Sequence, residues 1–206
     1  MKKSVINWSL TTKVMARTAL FAAIATILYT VPLFTLKIPI FPFFLEFHFD
    51  EIPTFIAGFA YGPLTSILII IVKTLIKLPM SSTAMVGELA DALYSMAFIL
   101  PAVLVYQKHK SLKGVMLGFG LGFISQLVIS SLFNALFMID FYLFLFPFLT
   151  AESLLAMVQA TNPMITDIHW TLVLYGILPF NLVKNTLVII ITFITYKRVH
   201  QLFYRF

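Results

Sequence analysis

Thr83–Phe98, reading TAMVGELADALYSMAF, opens an apolar run that continues to about Tyr106 and is long enough to cross a bilayer. Its head carries two carboxylates, Glu88 and Asp91. A carboxylate deep in hydrocarbon costs about 2.5–3.5 kcal/mol on insertion scales, so such a group faces a cavity, a partner or water. The i, i+3 spacing puts both on one helix face. Two readings follow. Either that face looks into a ligand chamber reached from one side of the membrane, or Gly87 begins the helix and both acids lie in its first turn. In the second case the macrodipole favours negative charge and headgroups supply water.

The surrounding chain makes a membrane span the right frame. Of 206 residues, 61% are hydrophobic and only 11% are charged, with a mean hydropathy of +1.00. Several runs exceed the roughly 18 residues that mark a spanning helix. They lack the alternation of a barrel, and in lipid each helix must satisfy its own backbone amides. The expectation is an all-α integral membrane bundle in a single domain, residues 1–206. The net charge of +6 does not point to nucleic acid, because the basic residues collect beside spans, where they set orientation and meet anionic headgroups. The absence of cysteine removes disulfides, thiolate catalysis and thiolate metal sites. A cleaved signal peptide is not expected, since the first apolar run is long and more spans follow.

In order, Met1–Lys13 is a basic leader, and span 1 runs from about Val14 to Val31 with a small-xxx-small pair at Ala19 and Ala23, which lets another helix approach closely. Pro32, Pro39 and Pro42 break any helix through the long aromatic loop that ends at Asp50. Loops of this length act as lids or binding loops, and Phe44 and Phe47, with Phe41, Phe43 and Phe49, offer flat surfaces to a ring-shaped ligand or form an interface belt. Glu51–Ala60 reads as a short helix, the second of six crossings, and Gly62-Pro63 forces a turn. Leu64–Leu78 carries Lys73, span 4 runs from about Met85 to Tyr106, and span 5 from about Leu112 to Met138 with Gln126 and Asn134 inside it. Asp140–His169 is expected to lie at the surface as amphipathic pieces. Span 6 starts near Trp170 and carries Asn181 and Lys184.

Six spans place both termini on one side. Ten of the fourteen Lys and Arg residues then share that side, which the positive-inside rule makes cytoplasmic. The loop between helices 1 and 2 is extracellular, and Asn134, Glu88, Asp91 and that loop share its membrane level. Lys184 lies about 12 Å below the outer end of span 6, too deep to snorkel, and needs Glu88, Asp91 or a polar ligand as partner. Lys73 points outward or into the same chamber. His48 and His169 read as interfacial residues rather than ligands, and without HExxH-type spacing no metal site is expected. No nucleotide-binding glycine loop, serine elbow or paired-histidine motif is present, so no catalytic residue is assigned. A six-span chain with one outward pocket and no energy-coupling motif suggests a binding subunit that relies on a partner. The reading from another class is a stand-alone ion or metal carrier that uses Glu88, Asp91 and Lys184 as a relay.

Several stretches, in this order, resemble the substrate-binding S components of energy-coupling factor (ECF) vitamin transporters, most closely the riboflavin branch. They are TALFAAIATIL, FHFDEIPTFIAGFAYGPLTS, LIIIVKTLIKL, VGELADALYSMAF, SLFNALF and GILPFNLVKNTLVIII. The resemblance implies a six-helix protein of the bacterial cell membrane that holds a vitamin near its outer surface under the first loop. It implies no cofactor, the vitamin being cargo, and no enzyme activity of the chain's own. The implied partners are a transmembrane coupling protein, which docks on the face of Ala19 and Ala23, and two cytosolic ATPases that power transport. It implies ligand contacts from Asn134 and Lys184; to these the residue pattern of this chain adds Asp91, Glu88 and Asn181 as polar contacts, with Phe47 and Phe44 of the loop enclosing the ring. Riboflavin-branch proteins commonly have uncharged residues where this chain has the acids of GELADA. That difference keeps pyridoxine, hydroxymethylpyrimidine and pantothenate as alternative ligands.

Overall fold

A computed structural model describes residues 10–203, with side chains to Tyr196. Most of the basic leader Met1–Lys13, including Lys2 and Lys3, therefore lies outside the described residues. So do the side chains of Lys197, Arg198 and Arg205. The described chain is all helical, with α1 (Thr12–Thr30), α2 (Glu51–Tyr61), α3 (Pro63–Lys77), α4 (Val86–Lys108) and α5 (Leu112–Phe133). A π-turn at Asn134–Met138 leads into α6 (Ile139–Leu145), and α7 (Ala151–Gln159) and α8 (Trp170–Leu172) follow. A second π-turn, Val173–Ile177, leads into α9 (Leu178–Phe203).

Local chemistry sets these boundaries. The Thr11 hydroxyl accepts from Val14 N–H at 3.3 Å to cap α1, and Ser111 accepts from Gly114 N–H at 3.1 Å to cap α5. Thr150 and Ser153 form a reciprocal capping box on α7. The elbow between α2 and α3 needs Gly62, whose φ of 105° is closed to ordinary side chains, and Pro63 then fits the first helical position.

Five helices among the described residues are long and apolar enough to cross a membrane: Thr12–Thr30, Pro63–Met80, Val86–Lys108, Leu112–Leu145 and Trp170–Tyr196. The segment expected as the second of six crossings, Glu51–Ala60, lies in the helix Glu51–Tyr61, whose 11 residues reach only about 16 Å. The fourth of the five long helices, expected as span 5, exceeds its expected end at Met138. It absorbs one π-turn and runs to Leu145, because Asp140 sits exposed on its outside and does not stop it.

The core is aromatic. Phe55 meets Phe98 and Phe119 edge-on at 4.8 and 5.3 Å between ring centroids, and Phe59 packs on Tyr106 and Phe119. Helices α4 and α5 approach closely through Gly118, where an added Cβ would sit 2.6 Å from the Ala102 carbonyl oxygen. The segment Asp140–His169, expected to lie at the surface, has an apolar face of its own. Leu154, Val158, Ile165 and Ile168 are buried against Ala135, Leu172 and Ile177, which binds this segment to the two π-turns.

Candidate functional site

The loop before α2 is tied down at both ends. Leu36 and Phe47 exchange backbone hydrogen bonds of 3.1 and 2.8 Å, and Lys37 pairs with Glu46 at 2.8 Å. Phe47 is buried and packs on Phe180 at 4.5 Å, while Phe41 meets the same ring edge-on at 5.4 Å. Phe180 directly precedes Asn181 on α9, so these contacts seat the loop above the polar face of that helix. Phe44 is half-buried and packs with the segment around α7 rather than with Phe47. Phe43 is exposed.

Beneath the loop the head of α2 delivers Asp50 and Glu51, both buried. Opposite them, Lys73 of α3 has no exposed side-chain surface. Its ammonium donates to Asp50, to Asp91 Oδ2 at 3.3 Å and to Ser95 Oγ at 3.1 Å, and lies 4.6 Å from the centroid of the Tyr29 ring. Lys184 of α9 pairs with Glu51 Oε1 at 2.8 Å and with Asp91 Oδ1 at 3.6 Å. Asp91 therefore joins the two lysines through its two oxygens. Three carboxylates and two ammonium groups from four parts of the chain make one cluster. Charges removed from water persist only when paired in this way.

An amide layer lies next to it. Asn181 accepts from Gln126 at 3.2 Å and donates to Ser130 Oγ at 3.2 Å, and Asn185 donates to Gln126 Oε1 at 2.6 Å. Asn134, at the first position of its π-turn, donates to the Tyr94 hydroxyl at 2.8 Å and to Ser130 O at 2.7 Å. A π-turn inserts a residue into the helical register and re-aims the side chains that follow it.

The two acids of GELADA part company. Asp91 enters the cluster, whereas Glu88 accepts from Ser81 Oγ at 2.6 Å and Thr83 Oγ1 at 2.8 Å. Glu88 thus serves the hook that starts α4. There Ala84 and Met85 take left-handed φ values of 50° and 70°, and Ser81 Oγ accepts from Met85 N–H at 2.8 Å. Of the partners expected for Lys184, Asp91 is present at 3.6 Å and Glu88 is not. First-turn placement satisfies Glu88, and Glu51 takes the lysine instead.

His48 is buried, not interfacial, with its ring edge-on to Tyr29 at 4.9 Å. Burial, and then the Lys184 ammonium, push its imidazole below the ordinary value, so it is neutral at pH 7. His169 instead pairs with exposed Asp140 at 2.9 Å. Three buried atoms of the 48–51 stretch have no hydrogen-bond partner: His48 Nδ1, Asp50 Oδ1 and Glu51 Oε2. No group of three or more metal-ligating side chains occurs among the described residues.

Asp50, Glu51, Tyr29 and Asn185 were not among the sequence candidates. The acidic pair that opens an apolar helix in FHFDEIPTF was the available signal. Two open grooves accompany the cluster without being lined by it. One, about 580 Å³, runs between α1 and α3 past Thr18, Ala19, Ala22, Ala23, Leu68 and Val72. The other, about 450 Å³, lies beside the π-turn at Phe133, Phe137 and Phe141. The interior between Lys184 and Asp91 is occupied by their own pairing.

Comparison with known proteins gives concordant results. The profile of the family described as "ECF transporter, substrate-specific component" matches residues 13–196. The riboflavin transporter RibU of Staphylococcus aureus (strain TCH60) is 24% identical over 175 residues, which is 85% of this chain and 85% of that protein. The riboflavin transporter FmnP of Bacillus subtilis (strain 168) is 25% identical over 172 residues, 82% of this chain and 83% of that one. A solved structure described as "Structure and mechanism of the S component of a bacterial ECF transporter" superimposes with a TM-score of 0.70. It is 24% identical and covers 92% of this chain and 96% of its own.

Proposed function

Because the chain belongs to the substrate-specific components of ECF transporters, multi-pass membrane proteins that bind cargo and are not enzymes, we propose that it captures riboflavin for import. The observation that carries this reading is the cluster of Lys73, Lys184, Asp50, Glu51 and Asp91 beneath a loop seated on Phe180, with buried acceptor atoms left without hydrogen-bond partners. The two riboflavin transporters among its relatives, similar over more than four-fifths of their lengths, support that choice of ligand.

In this reading the chain is one domain with six crossings, α2 being a short one, and both termini are cytoplasmic. The first loop closes the site from outside. Lys184, Asn181, Asn134 and Asp91 supply polar contacts to the ring, Phe47 an aromatic wall and Phe44 the loop's outer support. Glu88 keeps its place in the hook. Ligand entry requires Lys184 to exchange part of its pairing with Glu51 for the ligand, which releases acceptors as well as donors.

The groove along Ala19 and Ala23 receives the transmembrane coupling protein of a module that includes two ATPases. Its walls are apolar and its small residues permit close helix approach. ATP-driven reorientation by that module then delivers the vitamin inside. The test is purification from flavin-containing cells, followed by a search for co-purifying flavin and by titration of riboflavin fluorescence. Quenching with tight affinity is expected; an absent signal refutes riboflavin as cargo.

A further inference from the structure

The head of α2 holds three polar atoms that the protein itself does not use. Asp50 spends Oδ2 on Lys73, and Glu51 spends Oε1 on Lys184, which leaves Oδ1 and Oε2 unpartnered. His48 Nε2 faces Glu46 Oε2 at 3.7 Å, while its Nδ1 has no partner. The three residues are at least nine-tenths buried, with exposures of 9%, 0% and 3% for His48, Asp50 and Glu51. An ionised carboxylate only accepts hydrogen bonds, and a neutral imidazole with its proton on Nε2 accepts at Nδ1. Leaving such atoms empty in a buried site is costly, so their natural occupant is a set of donors.

We infer that His48, Asp50 and Glu51 form a polyol subsite, which holds the hydroxyl-bearing chain of the ligand while its ring lies elsewhere in the site. Three acceptors within four consecutive residues ask for several donors at short spacing. A heterocyclic imide supplies one N–H, whereas a chain of neighbouring hydroxyls supplies one donor per carbon. The subsite also disfavours negative charge, since two lysines are already outnumbered by the three carboxylates Asp50, Glu51 and Asp91. This inference rests on the flavin reading and adds to it the end of the molecule that these residues take.

The experiment compares riboflavin with lumiflavin, the same ring bearing a methyl group in place of the hydroxylated chain, by fluorescence quenching on the unmodified full chain in detergent. A site built to bond hydroxyls rejects the analogue that lacks them, so lumiflavin is expected to bind at least about 100-fold more weakly. Glu51→Gln, and separately His48→Ala, which breaks no lysine pairing, are expected to narrow that ratio about 10-fold by weakening riboflavin more than lumiflavin. Equal affinity for the two flavins overturns the subsite and leaves the cargo assignment standing. So does a ratio that both variants leave unchanged, as water filling the three atoms would produce. A chain that binds neither flavin overturns the cargo assignment and the subsite with it.

Discussion

Lys73 offers the sharpest test of the buried cluster. Replacing it with Met keeps most of the side-chain volume and removes the ammonium. Asp50, fully buried, then loses its cation, and Asp91 keeps Lys184 at 3.6 Å as its remaining ion-pair partner, while Ser95 Oγ loses its donor. Removing one partner of a buried pair costs about 3–5 kcal/mol, because the other charge remains in low dielectric. For a chain of this size each kcal/mol moves the midpoint by about 2–4 °C, so Lys73→Met is expected to melt roughly 6–20 °C lower. The pair Lys73→Met with Asp50→Leu removes both charges and leaves the net charge of the cluster unchanged. It is expected to recover most of the loss, since an apolar replacement of a whole pair is near neutral. The assay is thermal unfolding in detergent followed by loss of the monodisperse peak on size-exclusion chromatography. A single variant melting within about 2 °C of the parent would refute the reasoning, as would a double variant no better than the single one.

Glu88→Ala should lower stability by about 1–3 kcal/mol, since Ser81 and Thr83 lose the acceptor that fixes the left-handed Ala84–Met85 hook, and should leave flavin affinity within about 2-fold. Melting and titration on the same preparation check both halves. The His48 imidazole is held below its unfolded value of about 6.5, so the stability it contributes is full above that pH and is lost as pH falls through the folded value. Proteolysis of the 31–50 loop should quicken between pH 7 and pH 5, and His48→Gln should flatten that dependence. Phe180→Ala removes the ring on which Phe41 and Phe47 rest, at a cost of about 3–5 kcal/mol. The same loop should become protease-sensitive at neutral pH, and unchanged cleavage would show that it is held some other way. Ala19→Leu and Ala23→Leu fill the groove between α1 and α3, so riboflavin binding should persist while ATP-dependent uptake with the coupling module falls at least about 10-fold.

The helices that cross were legible because hydrophobic length is a strong signal. α1, α3, α4 and the start of the Trp170–Tyr196 crossing fall close to where apolar runs, Gly62-Pro63 and the basic link Lys108–Lys113 put them. The π-turns were not legible. Nothing in SLFNALF or VLYGI marks an inserted residue, since the backbone pays for it only through contacts with the α7 segment. The depth of Lys184 announced a buried partner, and Asp91 is one. Glu51 escaped notice because Asp50 reads as the polar end of a loop and Glu51 as the first residue of a short helix. Only the folded chain shows that loop turned inward.

That inward turn follows from the length of α2. Eleven residues rise about 16 Å, roughly half of a 30 Å hydrocarbon core. A full-length helix in this place would carry its acidic head to the membrane surface, where water would satisfy it. A half-length one leaves the head at the level of Lys73, Asp91 and Lys184, and the 31–50 loop must descend to meet it. The N-terminus of α2 adds its own positive field to the two ammonium groups, so the position tolerates Asp50 and Glu51 together. The short helix, the long aromatic loop and the buried lysines are thus one device. Shortening the loop or lengthening the helix would withdraw Asp50 and Glu51 from the site, leaving Asp91 alone with the two lysines and every long span in place.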